Sequence, residues 1–121
     1  MVNQMCTTNS EEYFFDIEGC YIEEVSNDST DSELSIAKVR VEVGVTTNWH
    51  KLRGTTERYY IVSGTGVVEV GDAPPRQVAT GDIVVIPSMA RQRISNNGNE
   101  DLIFLALCTP RFELKNYQNA E

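Results

Sequence analysis

The sequence lacks the long apolar segments found in membrane proteins and secreted precursors. Its longest apolar run, residues 102–108, is as long as one β-strand and far too short to span a membrane. The first residues contain neither a basic stretch nor an apolar core, so we expect no signal peptide. With 121 residues, 40% hydrophobic and 23% charged, the composition is that of one folded domain and argues against a disordered chain.

Cysteine is also scarce. Cys6, Cys20 and Cys108 form neither a CxxC pair nor an even-numbered set, so the sequence does not resemble a secreted domain held together by disulfides. We therefore expect a reducing, cytoplasmic location. Cys108 ends the longest apolar run and is predicted to be a small buried hydrophobic side chain.

Basic residues are missing from the first 37 positions, which hold nine acidic residues. The remainder carries nine acidic and ten basic residues, so the net charge of −8 arises in the N-terminal third. An acidic chain repels nucleic-acid phosphates and anionic membrane surfaces, and we expect neither as a partner. We interpret the acidic third as a solvated face.

Helical periodicity is absent as well. Short runs rich in Val, Ile, Tyr and Phe alternate with Gly, Asn, Asp and Pro, which predicts about ten short β-strands. Residues 71–75 contain a glycine and two prolines and predict a hairpin, and Asn97-Gly98 is the strongest hairpin signal in the chain. Close, regular spacing of the strands predicts an all-β single domain, either an antiparallel sandwich or a barrel.

The same pattern suggests three parts within that domain. Residues 1–33 are expected to form acidic strands and a loop that pack on the barrel, and residues 34–110 to form the barrel core. The polar tail, residues 111–121, is expected to form a short helix or to remain without regular structure.

Two stretches between residues 44 and 96 resemble the paired motifs of the cupin superfamily. The first motif, G-x5-H-x-H-x3/4-E-x6-G, is matched by Gly44, His50, Glu57 and Gly64. The second motif, G-x5-P-x-G-x2-H-x3-N, is matched by Gly81, Pro87 and Asn96. The resemblance implies a double-stranded β-helix, or jelly-roll barrel, with a pocket in the barrel mouth for a small-molecule ligand. It also implies a homodimer.

The departures from these motifs concern the metal ligands. Metal-binding cupins usually use three histidines and a glutamate, but here Leu52 and Gln92 occupy two of the histidine positions. Met89 stands where the family has glycine. What remains is His50, the only histidine of the chain, with Glu57 and the weaker ligand Gln92. We therefore expect a divalent transition metal (Fe, Mn, Ni or Zn) to be held weakly or not at all.

Strand alternation predicts which side chains share the pocket, because residues two apart on a strand point to the same face. The catalytic candidates are His50, Glu57 and Tyr59, and the ligand-binding candidates are Trp49 near the rim, Leu52, Gln92 and Ile94. A carboxyl held among apolar side chains has a raised pKa, so Glu57 and His50 are suited to proton transfer.

Several functions fit these residues. The first is a small-molecule-binding barrel whose metal site is weak or lost. Its rivals are a metal-dependent oxygenase or sugar isomerase using His50, Glu57 and Gln92, and a metal-free isomerase or epimerase using Glu57 and His50 as an acid–base pair. A purely structural or regulatory role is a further alternative. In that case Glu57 would form an ion pair inside the barrel with Arg53, Arg91 or Arg93. Arg111 would either pair with the acidic N-terminal third or bind a substrate anion.

Overall fold

Eleven β-strands make up most of the regular structure of residues 10–121, the part of the chain that the computed structural model describes. In chain order they are β1 (Tyr13–Phe15), β2 (Cys20–Ser26), β3 (Ser35–Val41), β4 (His50–Leu52), β5 (Thr56–Ser63), β6 (Thr65–Val70), β7 (Arg76–Ala79), β8 (Ile83–Ile86), β9 (Gln92–Ser95), β10 (Leu102–Thr109) and β11 (Tyr117–Asn119). Cys6 lies outside the described residues. Within them, no helix is long and apolar enough to cross a membrane.

The strands form two sheets, and the strand pairs found within residues 10–121 are antiparallel. One sheet has six strands in the order β1-β2-β3-β10-β5-β8, and the other has five in the order β11-β4-β9-β6-β7. The all-β jelly-roll prediction is therefore confirmed. The acidic N-terminal strands β1 and β2 extend the six-stranded sheet and so become part of the barrel wall.

The core lies between the two sheets. β10 alternates buried and half-buried residues along its whole length, so one face of the strand packs inward. Phe104 from β10, Ile61 from β5 and Ile94 from β9 are each at most 1% exposed and join the sheets across this core. The longest apolar run of the sequence is thus a central strand, paired with β3 on one side and β5 on the other.

The motif glycines mark tight connections between strands. Gly64 joins β5 to β6 with a φ of +90°, and a Cβ there would lie 2.7 Å from the Asp101 carbonyl oxygen. Only glycine fits both conditions. Met89 has a φ of +70° at the position where the motif has glycine, so this exposed methionine adopts a left-handed conformation that L side chains disfavour.

One local prediction needs correction. Asn97-Gly98 does not close a hairpin, because β9 and β10, the strands on either side, belong to different sheets. The buried Asn96 shapes this turn instead. Its Nδ2 donates to the Val41 and Glu100 carbonyls, and its Oδ1 accepts from the Gly98 amide. The hairpin predicted at residues 71–75 is confirmed by the pairing of β6 with β7.

The C-terminal tail is more ordered than its polar composition predicts. After the expected short helix, a 3₁₀ turn at Leu114–Asn116, the chain forms β11, which pairs with β4. This register sets Asn119 opposite His50 and Tyr117 opposite Leu52. The tail therefore covers the edge of the strand that carries the histidine.

Candidate functional site

A cavity of about 600 Å³ opens between the sheets. Its walls come from the inward faces of β1, β2, β3, β5 and β10, from β4 and β11, and from the segment that follows β10. Small-molecule sites usually have about this volume and a largely apolar lining with a few polar groups. The side chains that supply polar groups here are Glu18, Glu24, Asn27, Ser35, His50, Glu57, Tyr59, Arg111, Glu113 and Tyr117.

His50 lies at the start of β4 and is 3% exposed. Its Nδ1 is 2.8 Å from the Asn48 carbonyl oxygen, and because a carbonyl only accepts hydrogen bonds, Nδ1 carries a proton. The ring stacks on Tyr117 with centroids 5.1 Å apart and planes inclined by 10°. These two contacts fix the tautomer and orientation of the ring, and they leave Nε2 as the atom that can exchange a proton.

The nearest acidic partner of His50 is Glu18, whose Oε1 lies 3.3 Å from Nε2. Neither residue type nor spacing singles out Glu18 among the acidic residues of the N-terminal third. The solvated-face interpretation is wrong for this residue, because Glu18 is only 8% exposed. The β1–β2 turn carries it inward, and this turn is docked on the segment before β4 by the bond from the Asn48 amide to the Glu18 carbonyl.

Cys20 adds a second contact to this carboxyl. Its Sγ donates to Glu18 Oε2 over 3.2 Å. Burial raises the pKa of the Cys20 thiol, and the negative charge of Glu18 raises it further, so the thiol stays protonated as a donor. Cys108 is buried, as the sequence predicts, and burial is the main cause that raises the pKa of its thiol.

Glu57 projects from β5 into the same cavity. Burial raises the pKa of its carboxyl to about 7; the charge of His50 opposes the rise and that of Glu18 adds to it. Its Oε1 is buried without a hydrogen-bond partner. None of the salt bridges found among residues 10–121 includes Glu57, and Arg93 pairs instead with Glu69 on the outside of the barrel.

Tyr59 and Gln92 form a buried pair beside Glu57. The Tyr59 hydroxyl donates to Gln92 Oε1, and burial raises the pKa of that hydroxyl, which keeps its proton. Gln92 pairs with His50 across the strands but does not line the cavity. The Gln92 amide lies near enough to Glu57 to lower the pKa of that carboxyl, and its effect is the weakest of the four influences on this pKa. Even so, Gln92 Nε2 makes no hydrogen bond that satisfies normal geometry.

The remaining ligand-binding candidates occupy different places. Leu52 lines the cavity, whereas Ile94 is buried in the core. Trp49 does not line the cavity. The guanidinium carbons of Arg91 and Arg93 lie over its ring, 4.1 and 4.3 Å from the ring centroid. Trp49 precedes the inward-facing His50, so alternation sends its side chain to the outer face of the sheet.

A second polar cluster, formed by Glu24, Asn27, Arg111 and Glu113, lies at another part of the cavity wall. Arg111 donates to Asn27 Oδ1 over 2.9 Å and to Glu113 Oε1 over 3.0 Å. Within residues 10–121, Arg111 thus forms its ion pair with Glu113 and not with a residue of the acidic N-terminal third. Burial raises the pKa of Glu24, while Asn27 and Arg111 oppose that rise.

These donors do not fit the metal ion that the cupin resemblance implies. His50 offers only Nε2, and Leu52 offers no ligand atom. Gln92 Oε1 already accepts a hydrogen bond from the Tyr59 hydroxyl. The Nε2 left on Gln92 is an amide donor, which is not a metal ligand. Across residues 10–121, no three His, Cys, Asp or Glu side chains are grouped so that they could hold a metal ion.

Comparison with known proteins adds sequence relatives. A family model described as a cupin domain matches residues 37–108, more than half of the chain. An uncharacterized protein of Methanocaldococcus jannaschii is 35% identical over 78 residues, which are 64% of this chain and 62% of that protein. The oxalate-binding protein of Thermotoga maritima is 36% identical over 73 residues, 59% of this chain and 58% of that protein. The chain thus spans about three fifths of the length of both relatives.

Solved structures extend the likeness over nearly the whole chain. Pac13, described as a nucleoside dehydratase and solved from Streptomyces with uridine, superimposes with a TM-score of 0.79 at 18% identity. The match covers 98% of this chain and 92% of Pac13. At this identity the superposition establishes the shared barrel fold and leaves the chemistry to the side chains of this chain.

Proposed function

Because the chain belongs to the cupin domain family, whose barrels hold small molecules, we propose that it binds a small molecule and transfers protons within its cavity without a metal ion. Glu57 and His50 form the acid–base pair, as in a metal-free isomerase, epimerase or dehydratase. The observation that carries this proposal is the Glu57 carboxyl, which is buried in the cavity wall with one oxygen unpartnered.

The chemistry of Glu57 suits proton transfer near neutral pH. A general base works best when its pKa lies near the working pH, and burial brings the pKa of Glu57 to about 7. Oε1 makes no hydrogen bond of normal geometry, and the nearby Gln92 amide opposes protonation only weakly, so little is given up when this cavity-lining carboxyl accepts a proton from a substrate. A carboxyl of this kind abstracts a proton from an acidic C–H or O–H group placed beside it.

His50 would serve as the second proton carrier. Its Nδ1–H is fixed on the Asn48 carbonyl, so Nε2 alone exchanges protons with Glu18 or with a ligand. We assign Tyr59 a positioning role, because its proton is committed to Gln92. Leu52 would supply an apolar wall that keeps water from the reacting groups.

An oxalate site of the kind named for the Thermotoga maritima relative is less well supported. Oxalate is a dianion, and the cavity lining contains Glu18, Glu24, Glu57 and Glu113. The one guanidinium on this lining, that of Arg111, is already bonded to Glu113 and Asn27. Without a metal ion to offset them, these carboxylates repel an anionic substrate.

The expected homodimer and the cytoplasmic location stay predictions. Tyr60, Val62, Ile83 and Val85 leave exposed apolar side chains on β5 and the edge strand β8. Light scattering on the purified chain would decide the oligomeric state, and Ile83→Lys would shift a dimer that uses this surface towards the monomer.

A probe reaction tests the proton-transfer proposal without knowledge of the natural substrate. 5-Nitrobenzisoxazole reports a general base in an apolar cavity. The base removes the ring C–H proton while the N–O bond breaks, and the coloured cyanophenolate forms with no other reagent. We expect the purified protein to accelerate this reaction above buffer, with a pH profile that rises around pH 7. We also expect EDTA to leave the rate unchanged.

Glu57→Gln should remove the acceleration, whereas Glu42→Gln, which changes an exposed acid outside the cavity lining, should leave it intact. Elemental analysis of protein purified without an affinity tag should find less than stoichiometric Fe, Mn, Ni or Zn. A rate lost on chelation, or a Glu57→Gln protein as fast as the original, would contradict the proposal.

A further inference from the structure

The cavity lining carries an excess of acidic over basic groups. Four carboxyl side chains face it, against one imidazole and one guanidinium. The Arg111 guanidinium is paired with Glu113, and the His50 imidazole faces Glu18. Glu24 and Glu57 then remain without a salt bridge in the described part of the chain.

Glu57 shows that this acidic excess is directed at the cavity. Glu57 is only 9% exposed, and its Oε1 has no hydrogen-bond partner. Leaving a buried polar group unpartnered costs free energy, and a ligand donor placed beside this cavity-lining carboxyl offsets that cost. A carboxylate oxygen accepts hydrogen bonds and attracts positive charge, and a ligand N–H⁺ group provides both.

Aromatic rings complete the lining. Phe15 and Tyr117 meet edge to face with centroids 5.7 Å apart, and Tyr13 and Phe112 also line the cavity. The faces of aromatic rings carry negative electrostatic potential and attract ammonium groups, most strongly where water is excluded. Rings and carboxylates together are the combination that selects organic cations.

We propose that the ligand of this cavity is a small organic cation, an ammonium group carried on an apolar body. The inference rests on the proposed function, because it names the ligand class of the same site. The ammonium group is placed against Glu57, the charge of Glu24 adds to the negative potential of the same cavity, and the apolar body packs on the aromatic rings and Leu52. The Glu57 carboxyl gains from the contact, since a nearby cation offsets the cost of holding it ionised in a buried place.

Three probes of nearly equal size and different charge test the proposal. Benzylamine, benzyl alcohol and benzoate are titrated into the purified full chain at pH 7.5 and low salt, and binding is measured by calorimetry. We expect protonated benzylamine to bind at least about tenfold more tightly than benzoate, with benzyl alcohol between them. Added NaCl should weaken benzylamine binding and leave benzyl alcohol unaffected.

Glu24→Gln removes one charge from the half-buried part of the wall and keeps the shape of the side chain. It should weaken benzylamine binding several-fold and leave benzyl alcohol binding unchanged. Glu42→Gln is the matched control for the net charge, because Glu42 is exposed and does not line the cavity.

The outcomes separate this inference from the proposed function. If benzyl alcohol or benzoate binds as tightly as benzylamine, the cation preference is refuted while the small-molecule cavity stands. Equal effects of Glu24→Gln and Glu42→Gln on benzylamine would also refute it. If none of the probes binds, both proposals fail. The comparison of the three probes uses the unmodified chain, so it remains decisive even if Glu24→Gln does not fold.

Discussion

Replacing Glu57 with glutamine should change how the stability of the protein depends on pH. Glutamine has nearly the shape of a protonated glutamate and never ionises. In the folded chain the pKa of Glu57 rises from 4.5 to about 7, chiefly through burial. Between pH 4.5 and about pH 7 the folded state therefore keeps a proton that the unfolded state has already released. The protonated Glu57 makes the folded state more stable at low pH, and this contribution to the free energy of unfolding is lost as pH rises through about 7.

The size of the effect follows from the same pKa values. A pKa change from 4.5 to about 7 corresponds to about 3 kcal/mol, of which about 2.5 kcal/mol falls between pH 5 and pH 8. At pH 5 Glu57 is protonated in the folded chain, and the two proteins should have similar free energies of unfolding. At pH 8 the Glu57→Gln protein should be the more stable by about 2–3 kcal/mol.

Urea unfolding at pH 5, 6, 7 and 8 measures this difference directly. The other groups that face Glu57, including His50, Glu18, Cys20 and Cys108, are present in both proteins, so their own titrations largely cancel. Glu42→Gln serves as the control and should follow the original protein at every pH. If the Glu57→Gln and original curves run parallel from pH 5 to pH 8, the carboxyl is not held in the buried environment described here.

Three other sets of substitutions probe the barrel itself. Met89→Gly should be about 1 kcal/mol more stable in urea unfolding than Met89→Ala, because a φ of +70° strains the backbone of alanine and not that of glycine. Equal stability of the two variants would mean that the backbone is not strained at this position. The double change Leu52→His with Gln92→His should restore the cupin ligand set, and calorimetry should then show much tighter binding of Ni²⁺ or Zn²⁺. A double variant that binds neither ion would show that these side chains do not converge. Asn96→Ala should cost about 2–4 kcal/mol in urea unfolding because three main-chain groups lose their partner, and a loss below about 1 kcal/mol would show that the turn does not depend on that side chain.

The strands were predictable because their information is local. Alternation along β5 placed Glu57 and Tyr59 on one face, and the burial of both residues follows that pattern. The apolar run of β10 has the length of a strand and is followed by a proline, which favours a buried strand, and the structure has one there. The Asn97-Gly98 turn was misread because its dipeptide permits a hairpin, while the partner of each flanking strand is decided by the sheets.

The candidate site was only partly predictable. His50, Glu57 and Gln92 were found because the motif spacing places them, whereas Glu18 is one of nine acids in a segment without basic residues. Trp49 was assigned to the pocket rim, yet its ring contacts the guanidinium groups of Arg91 and Arg93 and does not line the cavity. The spacing of a motif fixes positions along a strand, and it carries no information about which turn of the chain folds over the barrel mouth.

The sequence by itself determined the strand pattern, the cupin motifs and the loss of two of the usual histidines, because each depends on residue type and short-range spacing. Only the tertiary structure decided that Glu18 faces His50, that the C-terminal tail adds a strand beside β4, and that four carboxyls share one cavity. Those contacts join segments far apart in the chain, and the free energy that forms them comes from burial and pairing between the sheets.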